Sequence, residues 1–246
     1  MNGFTDKIAV VTGGSTGIGA ALVAELAEAG CTVCFCSRGG DVKHLCEKYE
    51  GKVFSEICDL CDSSAIRSWI GGILKTFGKI DYLVNNVAFD GRLAFEDGDE
   101  NDFEKFISIN LRAAYLSANA ALPGLRAGTG RSIVNLGTTN WMLGLSPFTL
   151  YSSAKSGLIG FTRALARELG PEKIRVNMVS PGWVMTEKQI ELYVTEQDKK
   201  DLLKDQALPF LLEESHITPA IKFLLSEQSA AITGQNLVVD GGKLMQ

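Results

Sequence analysis

Tyr151 and Lys155 are the residues in this sequence whose types and spacing point most directly to proton transfer. They open a segment of helical character, and a spacing of four places both side chains on one face of a helix. A free tyrosine has a pKa of about 10 and is a poor base at neutral pH. A neighbouring ammonium favours the phenolate, so the pair could act as a general base. Such pairs also occur on unrelated helices, and the interpretation therefore depends on the rest of the chain.

A glycine-rich segment near the N-terminus indicates the partner for such a base. It runs Thr12-Gly13-Gly14-Ser15-Thr16-Gly17-Ile18-Gly19, directly after an apolar run and before a helical pattern. Glycines let the backbone turn tightly and approach a pyrophosphate, while a helix N-terminus offers free N–H groups and a partial positive charge. A glycine cluster alone is weak evidence, but its position between strand and helix predicts a dinucleotide site. The residues predicted to bind are Gly13, Ser15, Thr16, Gly17, Ile18 and Gly19.

The end of the second predicted strand bears on which dinucleotide binds. An acidic residue there would accept hydrogen bonds from the ribose hydroxyls of NAD, whereas an arginine would accommodate the 2′-phosphate of NADP. The sequence is Cys36-Ser37-Arg38, without a carboxylate. We therefore predict that Ser37 and Arg38 contact the cofactor and that NADP is preferred. The alternative is that Arg38 is a solvated loop residue and that both NADP and NAD are used.

Apolar runs alternate with amphipathic stretches along the whole chain, which is the pattern of βαβ units. We predict one α/β domain over residues 1–246, a Rossmann fold with a doubly wound, seven-stranded parallel sheet and helices on both faces. A long polar stretch at 186–212, interrupted by Pro209, is predicted to be a mobile cover over the site. The predicted strands are 8–12, 32–37, 52–58, 82–85, 132–136, 175–179 and 236–239. The predicted helices are 17–29, 41–49, 63–77, 102–122, 151–169 and 215–225.

Composition narrows the classes of partner. The formal charge of −5 argues against nucleic acid, because nucleic-acid binders usually carry a basic face. No apolar stretch approaches the roughly 20 residues that span a bilayer, and the first residues lack a signal-peptide pattern, so a cytoplasmic protein without a membrane partner is expected. Cys58 and Cys61 have the spacing of a metal or redox motif. We interpret the cysteines as small buried hydrophobes and expect no metal.

The chain resembles the classical short-chain dehydrogenase/reductase family over nearly its whole length. The motifs that carry the resemblance, besides the glycines and the Tyr/Lys pair, are Asp59-Leu60, Asn85-Asn86-Val87-Ala88, Asn110, and Pro181-Gly182 with Thr186. The resemblance implies hydride transfer between NAD(P) and a hydroxyl or carbonyl substrate, with Tyr151 and Lys155 as catalytic residues that also contact the cofactor. It further implies a homo-oligomer, a dimer or a tetramer, formed by the helices that contain Asn110 and Tyr151.

The resemblance also assigns roles to the other motif residues. Asp59 and Leu60 would contact the adenine ring, and Asn86, Val87 and Ala88 would line the cofactor. The segment with Pro181, Gly182, Val184 and Thr186 would hold the nicotinamide carboxamide. Asn110 would join Lys155 through water in a proton relay. An oxidised nicotinamide would add to the ammonium in favouring the phenolate of Tyr151.

Two positions depart from the family pattern. Thr138 stands where the family usually has serine, and it keeps a hydroxyl that can bind the substrate oxygen although its methyl group stiffens χ1. Val87 and Ala88 stand in place of alanine and glycine, and their side chains narrow the cofactor floor. Thr138 is still expected to be a catalytic and substrate-binding residue.

The segment 135–145 is similar to the aldose 1-dehydrogenases within this family. Asn140 and Trp141 would then hydrogen-bond and stack on a sugar ring, beside Thr138 and Tyr151. Trp183 and Gln189 would either line the same pocket or pack the cover against the body. The expected reaction is oxidation of an aldose at C1 to its lactone. The alternatives are reduction of a small ketone or 3-oxoacyl thioester, and a non-catalytic cofactor-binding protein, which Thr138 would favour.

Overall fold

A single parallel sheet organises the protein. The computed structural model describes residues 3–39 and 42–245. Its seven strands lie in the order β3-β2-β1-β4-β5-β6-β7, and every neighbouring pair is parallel. This confirms the predicted Rossmann fold. The strands are β1 Ile8–Thr12, β2 Thr32–Ser37, β3 Val53–Ile57, β4 Tyr82–Asn85, β5 Ser132–Leu136, β6 Arg175–Pro181 and β7 Asn236–Val239.

Ten α-helices connect and cover these strands in the described part of the chain. The helix predicted at 102–122 is divided, because a π-helical turn at Ser108–Arg112 separates α4 from α5. The predicted helix at 41–49 is observed from Lys43, and Asp41 lies outside the described residues. The helices are α1 Gly17–Glu28, α2 Lys43–Lys48, α3 Ser63–Phe77, α4 Glu100–Ile107, α5 Ala113–Ala127, α6 Asn140–Leu143, α7 Thr149–Leu169, α8 Glu187–Leu192, α9 Glu196–Asp205 and α10 Glu214–Leu225.

Side-chain alternation along β1 explains why helices cover both faces of the sheet. All residues of β1 are buried, which is typical of a parallel sheet that is covered on both faces. Ala9 and Val11 pack into a core with α1 and α10. Ile8 and Val10 point to the opposite face and pack with residues of α3, α5 and α7. The helices therefore fix the sheet from both sides.

The strand order creates a crevice at the carboxyl ends of β1 and β4. The chain runs outward from β1 to β3 and then returns to β4, which pairs with the other side of β1. The loops that follow β1 and β4 consequently diverge, and open α/β sheets bind ligands at such a switch point. Within the described ranges, no helix is both long and apolar enough to cross a membrane.

The stretch predicted to be a cover contains two short helices, α8 and α9, that the sequence analysis did not predict. Each helix is capped by a threonine: Thr186 accepts a hydrogen bond from the backbone N–H of Gln189, and Thr195 forms a capping box with Asp198. A parallel bridge between Val184 and Leu212 joins the two ends of the segment. The helices are so polar that they show little of the apolar periodicity by which helices are recognised.

Candidate active site

A cavity of about 640 Å³ lies at the carboxyl ends of the strands. This is within the usual volume range of small-molecule and cofactor sites. Most of the residues predicted to form the site line it, although they come from distant parts of the sequence. They are Gly13, Ser15, Thr16, Ile18, Gly19, Ser37, Arg38, Asp59, Leu60, Asn86, Val87, Ala88, Thr138, Asn140, Tyr151, Lys155, Pro181, Gly182, Trp183, Val184, Thr186 and Gln189.

The glycine-rich loop forms one end of the cavity, largely through its backbone. Gly13 has a φ of +70°, in the left-handed region that glycine tolerates. A Cβ on Gly19 would lie 2.0 Å from the carbonyl oxygen of Gly13, so only glycine allows the loop to close on the helix. Asn86 braces the same turn, since its Nδ2 donates to the carbonyl oxygens of Gly13, at 2.8 Å, and Thr12, at 3.0 Å. These contacts hold the turn in one conformation.

The N-terminus of α1 is suited to a pyrophosphate. Thr16 precedes the helix in an extended conformation, and its side chain makes no capping hydrogen bond among the described residues. The first N–H groups of this twelve-residue helix are thus available to an anion. Gly17 does not line the cavity, and an added Cβ would lie 3.2 Å from Cγ2 of Thr186; its predicted contact with the cofactor stays a prediction. Its φ of +53° turns the backbone into the helix.

The adjoining part of the cavity is formed by the ends of β2 and β3. Arg38 is exposed there and Ser37 is buried, and both line the cavity. Asp59 lies at the same wall, and its Oδ1 accepts a hydrogen bond from the backbone N–H of Cys61 at 2.9 Å. The thiols of Cys36 and Cys58 interact, an interaction that raises the pKa of Cys36 and lowers that of Cys58.

Tyr151 and Lys155 meet in the centre of the cavity wall, on the first turns of α7. Both are buried, with 7% and 1% of their surface exposed. The ammonium of Lys155 donates to the carbonyl oxygen of Leu136 at 2.7 Å and lies 6.0 Å from the centre of the Tyr151 ring. Burial lowers the pKa of Lys155 to about 8, and the charge of Asp90 opposes this change. The helical juxtaposition predicted from the spacing is observed.

The pKa of Tyr151 differs from the expectation. Burial raises it above the usual value for tyrosine, the charge of Asp90 raises it further, and a hydrogen bond with Thr138 acts in the opposite direction. The predicted lowering by the neighbouring ammonium is therefore wrong for the protein by itself. The physical reason is that the phenolate loses its hydration in this wall, and the ammonium, partly committed to Leu136, does not compensate.

Thr138 and Asn140 continue the wall beside Tyr151. The hydroxyl of Thr138 donates to Oδ1 of Asn140 at 3.0 Å and accepts from the backbone N–H of Asn140 at 3.2 Å. Because Thr138 also hydrogen-bonds to Tyr151, its rotamer is held by contacts on both sides. Threonine thus presents its oxygen at this position, and the hydroxyl that the family pattern requires is in place.

Asn110 and Trp141 do not line the cavity, and their predicted roles in the proton relay and in sugar stacking stay predictions. Oδ1 of Asn110 accepts from the backbone N–H of Phe89 at 3.0 Å, and its Nδ2 donates to the carbonyl oxygen of Phe89 at 2.9 Å. The side chain therefore fixes the loop after β4 from behind. Trp141 follows Asn140 on a short helix, where successive side chains point about 100° apart. Asn140 and Leu143 face the cavity instead.

Asp90 and Arg92 are among the charged residues of the cavity that the sequence analysis missed. Oδ1 of Asp90 is 2.5 Å from Nζ of Lys188, and its Oδ2 accepts from Nε2 of Gln189 at 2.6 Å. Gln189 in turn accepts from the indole N–H of Trp183 at 2.9 Å. Trp183 and Gln189 therefore both line the cavity and join the cover to the body. The sequence signal that could have identified Asp90 and Arg92 was their position, since both closely follow the carboxyl end of β4.

Comparison with known proteins agrees with this geometry. The family model described as enoyl-(acyl carrier protein) reductase matches residues 13–243. A probable galactose dehydrogenase of Rhizobium meliloti is 36% identical over 243 residues, covering 96% of this chain and 94% of that protein. A D-xylose 1-dehydrogenase of Caulobacter vibrioides is 34% identical over 240 residues, covering 96% and 95%. A 3-oxoacyl-[acyl-carrier-protein] reductase of Chlamydia muridarum is 32% identical over 243 residues, covering 96% and 97%.

A solved structure supports the same conclusion. The short-chain dehydrogenase/reductase from Serratia marcescens superposes with a TM-score of 0.88 at 30% identity, covering 98% of each chain. The switch-point cavity, its glycine turn and the buried Tyr/Lys pair define a protein that uses a nicotinamide dinucleotide for oxidation and reduction. The chain belongs to the short-chain dehydrogenase/reductase family and is an NAD(P)-dependent oxidoreductase.

Proposed function

We propose that the protein oxidises an aldose sugar at C1 to the corresponding lactone, with NADP as the preferred cofactor and NAD as a possible substitute. The observation that carries the proposal is a polar wall in the same cavity as Tyr151 and Thr138, formed by Asp90 together with Gln189 of the cover. A substrate with several hydroxyl groups can use such a wall, whereas a simple alcohol cannot. The two sugar dehydrogenases among the relatives support the same substrate class.

The chemistry assigned to the side chains is acid–base catalysis. Tyr151 Oη, as the phenolate, removes the proton from the C1 hydroxyl, and the hydroxyl of Thr138 holds the same substrate oxygen. When bound, the oxidised nicotinamide supplies the hydride acceptor and a positive charge that favours the phenolate. Lys155 keeps an ammonium beside Tyr151, and Asn110 keeps the β4 loop in position. The proposed water relay from Asn110 to Lys155 remains part of this assignment.

Cofactor binding is assigned to three groups of residues. The glycine turn and the N-terminus of α1 would hold the pyrophosphate, and Asp59 and Leu60 the adenine. Arg38 would bind the 2′-phosphate beside Ser37, which is the basis of the NADP preference. The nicotinamide end would lie against Asn86, Val87, Ala88, Pro181, Gly182, Val184 and Thr186.

An oligomer is part of the proposal. Tyr115 on α5 is 53% exposed and packs edge-on against Phe161 of α7, with ring centres 6.3 Å apart. Exposed aromatic surface on these two helices suits pairing with a second copy, as a dimer or a tetramer. Light scattering coupled to size exclusion measures the mass directly, and a monomer at all concentrations would contradict this part.

Reduction of a small ketone or a 3-oxoacyl thioester is the second candidate. It is favoured by the acyl-carrier-protein reductases among the comparisons, and it would use the same Tyr151, Lys155 and Thr138. Incubating the protein with NADP⁺ or NAD⁺ and a panel of aldoses, and with NADPH and both carbonyl classes, separates the candidates by absorbance of the reduced nicotinamide. We expect turnover with aldoses and a higher kcat/KM for NADP⁺. Turnover restricted to the carbonyl substrates would contradict the proposal, and cofactor binding without any turnover would identify a non-catalytic protein.

A further inference from the structure

The loop after β4 brings an acceptor and a donor to the substrate end of the cavity. Both carboxylate oxygens of Asp90 are engaged by the cover, through Lys188 at 2.5 Å and Gln189 at 2.6 Å. A carboxylate has about four acceptor positions, so these contacts orient it without exhausting it. Beyond the effect of burial, its charge raises the pKa of both Tyr151 and Lys155. Asp90 therefore lies within electrostatic range of the reacting centre.

Arg92 is held in a way that leaves its donors available. Its guanidinium lies 4.3 Å from the ring centre of Tyr193, 5.4 Å from that of Trp183 and 5.7 Å from that of Phe148. Within residues 3–39 and 42–245 it forms no hydrogen bond or close ion pair. Contacts with aromatic faces fix the plane of a guanidinium, while its five N–H groups point outward along the edges. Arg92 is thus an oriented donor at the mouth of the cavity.

Asp90 and Arg92 each lie near a residue of opposite charge, and this limits the kinds of ligand that suit the site. Asp90 is paired with Lys188, and Arg92 is close enough to Asp198 to contribute, after hydrogen bonds from Thr195, to lowering its pKa. An anionic substrate would meet an already neutralised wall and the repulsion of two carboxylates. A hydroxyl group both donates and accepts, and is suited to an acceptor and a donor presented by the same loop.

We propose that Asp90 and Arg92 form the subsite that recognises the hydroxyl groups of a neutral sugar away from C1, Asp90 as acceptor and Arg92 as donor. This rests on the aldose oxidation proposed above. The two residues determine specificity and do not take part in the proton transfer. The cover completes the subsite, because Lys188 and Gln189 orient Asp90.

A cycle that combines protein variants with altered substrates tests the subsite. The wild type, Asp90→Asn and Arg92→Met are assayed with a parent aldose and with its monodeoxy analogues, each lacking one hydroxyl. Each variant should lower kcat/KM for the parent by about 10- to 100-fold, the range for a hydrogen bond to a charged group. Against the one analogue that lacks the contacted hydroxyl, the same variant should cause almost no further loss. Any effect of Asp90 on the pKa of Tyr151 is common to all substrates and cancels in this comparison.

Matched controls lie in the same region but outside the cavity. Asp97→Asn removes an exposed acid from the same loop, and Lys105→Met removes a cation that stacks on Phe89 at 4.1 Å. Both should keep kcat/KM within about twofold. If the wild type oxidises aldoses but each variant lowers kcat/KM equally for the parent sugar and for every analogue, the proposed subsite is wrong and the proposed function stands. A wild-type preference for a sugar acid or sugar phosphate also overturns the subsite. If the wild type oxidises no aldose, both proposals fail.

Discussion

The two ends of the cavity are constructed differently. The end that contains the glycine turn is formed mainly by backbone from one continuous segment, Gly13 to Gly19, braced by Asn86. The substrate end is formed by side chains from separate segments: the loop after β4, the residues around α6, the start of α7, and the cover. A backbone site requires particular glycines and is visible as a motif. A side-chain site depends on which loops meet, so many sequences can produce it.

Tyr151→Phe should have the largest effect, and it should lower catalysis at the substrate end while leaving cofactor binding at the other end nearly unchanged. It removes the proton acceptor while the ring continues to fill the wall, so kcat should fall by about a thousandfold, within the range for general acid–base groups. The Kd of NADP⁺, measured by titration calorimetry, should change less than threefold. Tyr49→Phe, outside the cavity, serves as the control. A variant that retains a tenth of wild-type kcat would show that Tyr151 is not the base.

Gly19→Ala should affect the opposite end. The added Cβ would meet the carbonyl oxygen of Gly13 at 2.0 Å, and the turn must open to accommodate it. We expect the Kd of NADP⁺ to rise by about 10- to 100-fold, as roughly 1–3 kcal/mol of overpacking would produce. Gly71→Ala is the control, because a Cβ there meets no atom within 4 Å in the middle of α3. Unchanged cofactor affinity in a folded Gly19→Ala protein would contradict the importance of backbone shape.

Arg38→Ala tests a side chain on which the choice between NADP and NAD is expected to depend. Loss of the guanidinium should lower kcat/KM for NADP⁺ about tenfold, since a charge-assisted hydrogen bond at an exposed position is partly screened. The value for NAD⁺ should stay nearly constant, and so should both values in Arg67→Ala, which alters an exposed arginine of α3. An equal loss for both cofactors would assign Arg38 to folding of the loop, and no loss would leave it as a solvated residue.

Asp90→Asn should shift the pH dependence of kcat/KM without changing the part of the cavity that would hold the cofactor. Asp90 raises the pKa of both Tyr151 and Lys155, so its neutralisation lowers both values. The phenolate then forms at lower pH and the ammonium is also lost at lower pH. The whole profile of kcat/KM, measured with a simple secondary alcohol, should therefore shift to lower pH. A profile that stays in place, or moves to higher pH, would show that Asp90 does not act on these groups.

Much of the architecture was predictable because it follows from local patterns. The bounds of β1, β2, β4, β5 and β7 agree with the sequence prediction, since parallel strands are short apolar runs between turn residues. The predicted bounds of α3 were also observed. The π-helical turn that divides α4 from α5 was not predicted, because a π turn keeps the apolar periodicity of a helix. The hydrogen bond to Asn110 at this turn comes from Phe89, in the loop after β4.

The sequence by itself determined the reaction class, because the glycine turn, the Tyr/Lys pair and the other motifs each lie within a short segment and together resemble one enzyme family. Only the tertiary structure decided the direction of the Tyr151 pKa and the composition of the substrate wall. Burial and the charge of Asp90 arise from segments that are far apart in the chain. Tertiary contacts likewise placed Arg92 at the cavity and left Trp141 outside its lining. Local spacing fixes which side chains share a helix face, but long-range packing decides which loop each face meets.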